Sequence, residues 1–517
     1  MTLKRKIALV DLDRHAITIQ AIPGQWRSRF LGGRGIGDYL LWQYGAMHCD
    51  ALSADNTIVV NAGLLGGTLA APHAFGTILA KSPLTGFLTC SSLNGPFAAE
   101  MRWAGFDHVV IRGRSKKPVF LFITDGHIEI RDAEQLWGKT TRQAREAILQ
   151  TLGDRETKTL QIGPAGENLV RFATVMVDRW ISAGRTGLGA VLGSKNIKAL
   201  ACRGTGDLEV KFPERILELG PNLNADNPVD AIAHLAHENV LFSGKTIEAI
   251  QDLAIDAGMD VETALVMLQW ACAMVEKGVI DRRHTRGLVL DQENTKSLKA
   301  LAKNISLGNS LGRILGQGPL RVADKFGFDP MKWLPSEKSL FDIYSETETG
   351  GCSSNENISG APTDFWQMPG APGQVALEEL CALICGCLGI ACPPGIEGVS
   401  ISTVFGNISE LIRLNTGLVF DTNTLLTIAY RCHALERLFN CTVQSTYRKQ
   451  HLSELHIDVP ASFYRSVDLT GVEKLKKIRL SIDRHYRLKG WVQNKFFHKK
   501  VFGLLEIEDL WAVLRKK

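Results

Sequence analysis

The sequence predicts an α+β fold, with a sheet-rich N-terminal part to about residue 206 and a mainly α-helical remainder. Three observations carry that expectation. Short β-type apolar runs punctuated by glycine fill the first two hundred residues, helical apolar spacing takes over after about Val210, and a segment rich in Gly, Ser, Asn and Pro at 346–374 interrupts the helical part.

In the first part the strand-like runs are Ile7–Leu12, Thr57–Val60, Val109–Ile111, Val119–Ile123 and His127–Ile130. The last two flank Asp125-Gly126, a turn pair that tolerates the positive φ of a tight hairpin, so Phe120 to Ile130 is expected to be a β-hairpin. Thr140–Leu152 opens on threonine and carries apolar residues at helical spacing, the pattern of an amphipathic helix lying on a sheet. Further on, helices are expected at Thr246–Ala257, Val261–Glu276, Thr295–Ile305, Gly318–Phe326, Val375–Leu388 and Asn423–Phe439. The domain boundaries that follow are 1–206, a helical middle part 207–374 and a helical C-terminal part 375–517.

With 517 residues, 45% hydrophobic and 22% charged, the chain can bury large cores. Lys plus Arg exceeds Asp plus Glu by 59 to 54, too small a surplus to point to nucleic acid as partner. The apolar stretches around Ala264–Val275 and Leu380–Cys392 are shorter than a membrane span, and Met1–Lys6 is followed by no signal-peptide core, so a cytoplasmic protein without membrane insertion is expected. Eleven cysteines without a secretion signal suit free thiols or metal ligands better than a disulfide framework.

Two glycine runs, Gly32-Gly33-Arg34-Gly35-Ile36-Gly37 and Gly187 to Gly193, admit three readings. A Rossmann fingerprint needs a preceding strand in a βαβ unit, and neither run has a convincing one. Glycine also permits turns and close backbone packing, or lets N–H groups approach an anionic cofactor.

Several anchors occur in a specific order: Leu31–Gly35; Lys81-Ser82-Pro83-Leu84-Thr85-Gly86; Ala104–Asp107 with Ile111-Arg112-Gly113; Ile162–Asn168; and Ala183-Gly184-Arg185-Thr186-Gly187-Leu188-Gly189 through to Ala199. Together they resemble the aldehyde ferredoxin oxidoreductase family. Thinner likeness continues at Ala257–Asp260, Cys387–Ala391, Leu435–Asn440 and Tyr486–Trp491. The resemblance implies paired β-sheets forming a base for a tungsten or molybdenum bis-pterin, with two loops closing over the pterins. It places cofactor contacts at Asn94, Gly95, Ala183, Gly184, Arg185, Met259, Asp260, Gly389 and Ile390.

The chain also departs from the family pattern. Active members carry a Cys-x-x-Cys-x-x-x-Cys turn and a later cysteine that hold a four-iron four-sulfur cluster; here no cysteine lies between Cys202 and Cys272. The leading aspartates of the two pterin loops are replaced by Ile255 and Gly386, with Asp256 one place off, and the final cysteine of the second loop by Ala391, with Cys392 next door. Two arginines that reach the cofactor in the family correspond to Phe75 and Ile181, with Arg179 close by. Cys381, Cys385, Cys387 and Cys392 form the one dense thiol group, a candidate rebuilt metal site or a set of buried small hydrophobes. His234 and His237, three apart on an expected helix, admit a shared metal-ligand face or a surface or packing role, and the basic stretch Lys474–Lys500 a solvated helix face and tail or a partner-docking surface.

The expectation is a divergent family member, non-catalytic or dependent on a partner, that keeps the pterin-binding scaffold without the iron–sulfur cluster. The partner would be an intact paralogue or a second copy of the chain. The competing expectation is an active tungstopterin oxidoreductase that converts aldehydes to carboxylates and passes electrons to a ferredoxin-like carrier.

Overall fold

A computed structural model describes residues 5–45, 49–70, 75–184, 186–218, 242–328, 371–390, 401–442 and 505. Twelve strands are present among them: β1 Lys6–Asp11, β2 Ala16–Ala21, β3 Ile58–Ala62, β4 Gly76–Lys81, β5 Leu88–Leu93, β6 Phe106–Arg112, β7 Val119–Thr124, β8 His127–Asp132, β9 Lys158–Gln161, β10 Met176–Val177, β11 Ile181–Ser182 and β12 Ile197–Arg203. They form two six-stranded sheets, ordered β2-β1-β6-β3-β4-β5 and β11-β10-β9-β12-β7-β8. Pairing is antiparallel except for β1 with β6 and β12 with β7.

The two sheets share one apolar core, in which Val10, Val60, Ile78 and Val109 meet Leu121, Leu160, Val191 and Leu200. The paired-sheet architecture is thus present. A Rossmann sheet is not: Gly187 to Gly193 leads into the short helix Leu188–Ser194 against mixed, mostly antiparallel strands. The expected hairpin is β7–β8, with Gly126 at φ 74°. The helix after it runs Thr141–Leu152, with Thr140 and Gln143 closing a reciprocal capping box at its start.

The helical part packs in two bodies of core. One joins Gly244–Ala257, Val261–Glu276 and Thr295–Ser306 around Trp270. The other joins Ala371–Leu388, Ile401–Thr416 and Thr422–Thr442 to the N-terminal helix Gly33–Tyr44. Ala371–Leu388 starts four residues before the expected Val375, so the end of the irregular 346–374 segment is helical. The rest of that segment, His234, His237 and the 474–500 stretch lie outside the described residues. No described helix is long and apolar enough to cross a membrane.

Candidate functional site

The C-terminal end of β3, the N-terminal end of β4 and the C-terminal end of β5 lie side by side, because Ala62 pairs with Gly76 and Gly76 with Leu93. Gly63, Phe75 and Asn94 therefore follow one another along one edge of the first sheet. The loop ending helix Ala371–Leu388 docks there through main-chain bonds. Leu64 N–H donates to the Cys387 carbonyl at 3.0 Å, Leu65 N–H to Leu388 at 2.9 Å and Phe75 N–H to Gly389 at 3.3 Å. Gly389, at φ 74°, reverses the chain as the N–H groups of Gly389 and Ile390 both turn back to the Cys385 carbonyl.

Next along the edge, a Cβ on Gly95 would lie 3.3 Å from the Ile181 side chain, and one on Gly184 would lie 2.5 Å from Ser91 Oγ. Ala183 N–H donates to Val175 at 2.8 Å, and Thr174 Oγ1 meets Ser182 Oγ at 2.6 Å. The other loop joins on the far side. Thr174 N–H donates to Gly258, Asp260 N–H to Phe172, and Ala173 bridges to Met259. Eight of the nine expected contact positions, drawn from four segments, are thus linked into one continuous chain of neighbours; Arg185 lies outside the described residues.

The turn Ser82–Gly86 braces this row. Ser82 Oγ accepts from the N–H groups of Leu84 and Thr85 and donates to the Thr186 carbonyl at 2.7 Å, while Thr186 Oγ1 meets Ser91 Oγ at 3.1 Å. Gly63 and Ser91 line the row but escaped sequence reasoning, since a lone glycine and a small hydroxyl between buried residues carry no pattern.

A buried charge cluster fixes the Gly63 loop from below. Asp107 Oδ1 accepts from Arg5 Nε at 3.1 Å and from Arg102 Nε at 3.2 Å, and Oδ2 accepts from Arg27 Nη2 at 3.0 Å. Arg102 Nη1 in turn donates to the carbonyls of Leu64 at 2.6 Å and Gly66 at 2.8 Å. Burial alone would raise the Asp107 carboxyl, but the guanidinium groups of Arg102, Arg27 and Arg5 outweigh it and hold the group well below the ordinary carboxylate range. Burial lowers Arg102 to about 10 and His108 to about 3, so His108, hydrogen-bonded through Nδ1 to Asn61 Oδ1 at 2.8 Å, is neutral.

A second buried polar group ties the N-terminal module to the C-terminal helices. Arg34 Nη2 pairs with Glu436 Oε1 at 2.6 Å, and burial, then repulsion from Glu436, raises the neighbouring Asp38 carboxyl well above its ordinary value. The thiols of Cys387 and Cys432 hydrogen-bond to each other and fill the space where Gly35 lacks a side chain: a Cβ there would lie 2.8 and 2.9 Å from the two sulfurs.

Cys381, Cys385 and Cys387 are all buried in an apolar helix, Cys387 turns toward Cys432, and Cys392 lies outside the described residues. Among the described residues no three His, Cys, Asp or Glu side chains converge to hold a metal ion. The glycine runs resolve toward close packing. The nearest atoms to a Cβ on Gly33 are the Gly386 and Cys387 carbonyl oxygens, on Gly187 the Arg171 carbonyl oxygen and on Gly193 the Gly166 carbonyl oxygen.

Three polar side chains near the row contact other residues of the chain. Asp256 pairs with Arg142 at 2.6 Å, and Arg179, largely exposed, approaches Glu146 at 3.7 Å. Asp260 uses its carboxylate as the N-cap of helix Val261–Glu276, accepting from Thr263 N–H at 2.8 Å and Thr263 Oγ1 at 2.5 Å. The backbone row survives while the polar side chains near it serve the protein.

Two mixed sheets under helical bodies, with two loops meeting along one sheet edge, define the architecture of a family. Residues 7–204 match the model for the N-terminal domain of aldehyde ferredoxin oxidoreductase, and residues 215–340 match that for its domains 2 and 3. The chain belongs to the aldehyde ferredoxin oxidoreductase family. It is 31% identical, over 97% of its length and 98% of the relative's, to a tungsten-containing aldehyde ferredoxin oxidoreductase of Pyrococcus furiosus. That alignment spans 603 residues, more than the 517 of this chain, so the chain lacks internal segments of its relative. It is also 34% identical, over 39% of this chain and 35% of the relative, to the WOR-like subunit of an aliphatic sulfonate oxidoreductase from the same organism. In fold it resembles a chain of the active site complex BamBC of benzoyl coenzyme A reductase, with a TM-score of 0.81, 21% identity and coverage of 100% of this chain and 98% of that one.

Proposed function

We propose that this chain is a divergent family member that keeps the cofactor scaffold but acts without its own catalytic turnover, as the partner of an intact relative or of a second copy in the cytoplasm. The observation that carries the reading is the use of the Asp260 carboxylate as a helix cap at the loop where the family presents carboxylates to the pterin, with Asp256 beside Arg142 as a partly exposed ion pair. A surface ion pair of this kind is worth little, yet it directs Asp256 to the Arg142 guanidinium. The main chain at Asn94-Gly95, Ala183-Gly184, Met259 and Gly389 supplies the seat, but among the described residues the side-chain set does not fit a charged bis-pterin or a thiolate-held cluster. No reaction step is therefore assigned to either group. In this reading the units are 1–206 as the pterin-type base, 207–374 as the middle part and 375–517 as the C-terminal part.

The test is tungsten, molybdenum, iron and acid-labile sulfide content after anaerobic purification of the full chain, with the visible spectrum before and after dithionite. Substoichiometric metal and co-purification with a cysteine-motif relative are expected. About four irons per chain with a bleachable thiolate-to-iron band would overturn the reading. The outcome would then be the second reading, an active tungstopterin oxidoreductase taking aldehydes to carboxylates with a ferredoxin-type electron carrier. That reading is favoured by the near full-length alignment with a tungsten-containing relative.

A further inference from the structure

A cleft of about 590 Å³ opens where the N-terminal module meets the helical middle part, away from the row of loops described above. Arg171 and Asn168 come to it from the first body, and Arg313, Asn309 and Gln317 from the second. Among the described residues its lining holds two guanidinium groups and no carboxylate. Apolar surface is present too: Leu169 and Leu307 both line the cleft and are among the few large hydrophobic side chains left substantially exposed, at 36% and 37%. Leu169 sits at φ 59°, a left-handed backbone that a bulky residue rarely adopts, so its exposed placement is held at a conformational cost.

Arg313 and Gln317 keep donors available. Arg313 uses Nε for the Gly308 carbonyl at 2.9 Å, and Gln317 uses Oε1 to accept from Arg171 Nε at 2.9 Å, leaving its amide nitrogen. Asn309 starts helix Ser310–Leu315 without a side-chain capping bond. Donor-rich, cationic walls beside exposed leucines suit a ligand with an anionic head and a hydrocarbon body, and the volume falls within the range of small-molecule sites.

We propose that this cleft binds a small organic monocarboxylate, its head on Arg313 and the Gln317 amide nitrogen and its aliphatic part on Leu169 and Leu307. Arg171 also donates through Nη1 to the Pro83 carbonyl at 2.8 Å, and its own carbonyl lies against Gly187, so an occupant would touch the brace of the loop row without entering it. The proposal does not depend on whether the chain carries a cofactor.

Hexanoate titrated calorimetrically into the full chain, with hexanol and acetate at matched ionic strength as controls, tests it. Saturable binding is expected for hexanoate alone. The exposed substitution Arg313→Gln should weaken it about tenfold or more, the size expected for one charge-assisted hydrogen bond, and Leu307→Asp, which sets a carboxylate on the apolar wall, should weaken it too. Hydrogen exchange should slow in 168–171 and 307–317 on binding and stay unchanged there in Arg313→Gln. Absence of saturable binding, equal binding of hexanol or acetate, or hexanoate binding indifferent to both variants would each overturn it.

Discussion

Replacing Gly63 by alanine puts the docking of the C-terminal helices on the sheet edge to a direct test. The added Cβ would lie 2.1 Å from Gly389 N and 2.3 Å from both Gly389 Cα and the Leu388 carbonyl carbon. All three are main-chain atoms, so no rotamer can relieve the clash. Ordinary contact begins near 3.4 Å, so the loop must withdraw by about 1.3 Å. That stretches the bonds from Leu64, Leu65 and Phe75 to Cys387, Leu388 and Gly389 beyond normal range. Three such bonds at about 1 kcal/mol each, with an overpacking cost of about 1 kcal/mol or more, come to about 4 kcal/mol. Native-state amide exchange reports this locally: Leu64 and Leu65 N–H should exchange faster by roughly two to three orders of magnitude. Gly244→Ala, where nothing lies within 4 Å, is the control and should leave these amides unchanged. If Gly63→Ala keeps their protection within tenfold of wild type, the docking geometry argued above is wrong.

Asp107→Asn should destabilise the N-terminal module by about 3–5 kcal/mol in urea unfolding, because Arg5, Arg27 and Arg102 lose their buried counter-charge; a loss under about 1 kcal/mol would refute the role given to the cluster. The pH dependence has a defined sign. The stability from Asp107 is complete above the ordinary aspartate value of about 4 and is withdrawn as pH falls through its depressed folded value. His108, folded near 3, contributes stability that declines as pH falls from about 6.5, where the unfolded chain begins to take up the proton. His108→Gln should therefore flatten the stability profile between about pH 6 and pH 4; an unchanged slope would show that the ring is not neutral in the fold. Peptide-resolved alkylation at neutral pH should leave Cys202, Cys272 and Cys387 unmodified until the chain is unfolded, since all are buried and burial pushes Cys272 up to about 12. Rapid native labelling of Cys387 would count against the thiol pair with Cys432.

The fold was legible where side chains alternate or cap. Val261–Glu276 is found at its expected bounds, and Thr140 is the cap that its position before an apolar-periodic run suggested. β4 and β5 were not legible, because Gly76–Lys81 is buried throughout and Leu88–Leu93 nearly so, with small polar residues on both faces that erase the period-two signal. Gly33–Tyr44 was missed as a helix because its glycines, poor helix formers, are required by Asn61 and by the sulfurs of Cys387 and Cys432. Of the candidate site, the motif positions were legible through resemblance. The partners that hold them were not: Asp256 goes to Arg142 and Cys387 to Cys432 through contacts of 114 and 45 residues in sequence separation, which no local pattern encodes.

The three bonds that seat the second loop run from main chain to main chain, so their formation is indifferent to which side chains the loop carries. Mutational drift at such a place is cheap: a lineage can lose every functional side chain on the loop while the loop stays where it was. The same geometry makes the change reversible in principle, because restoring activity would call for side chains on a loop already in position, without any need to evolve a new backbone path. Glycine is where that freedom stops. At Gly63 and Gly389 the main chains pass too close for any other residue, and selection for the assembled shape alone is enough to hold these two positions.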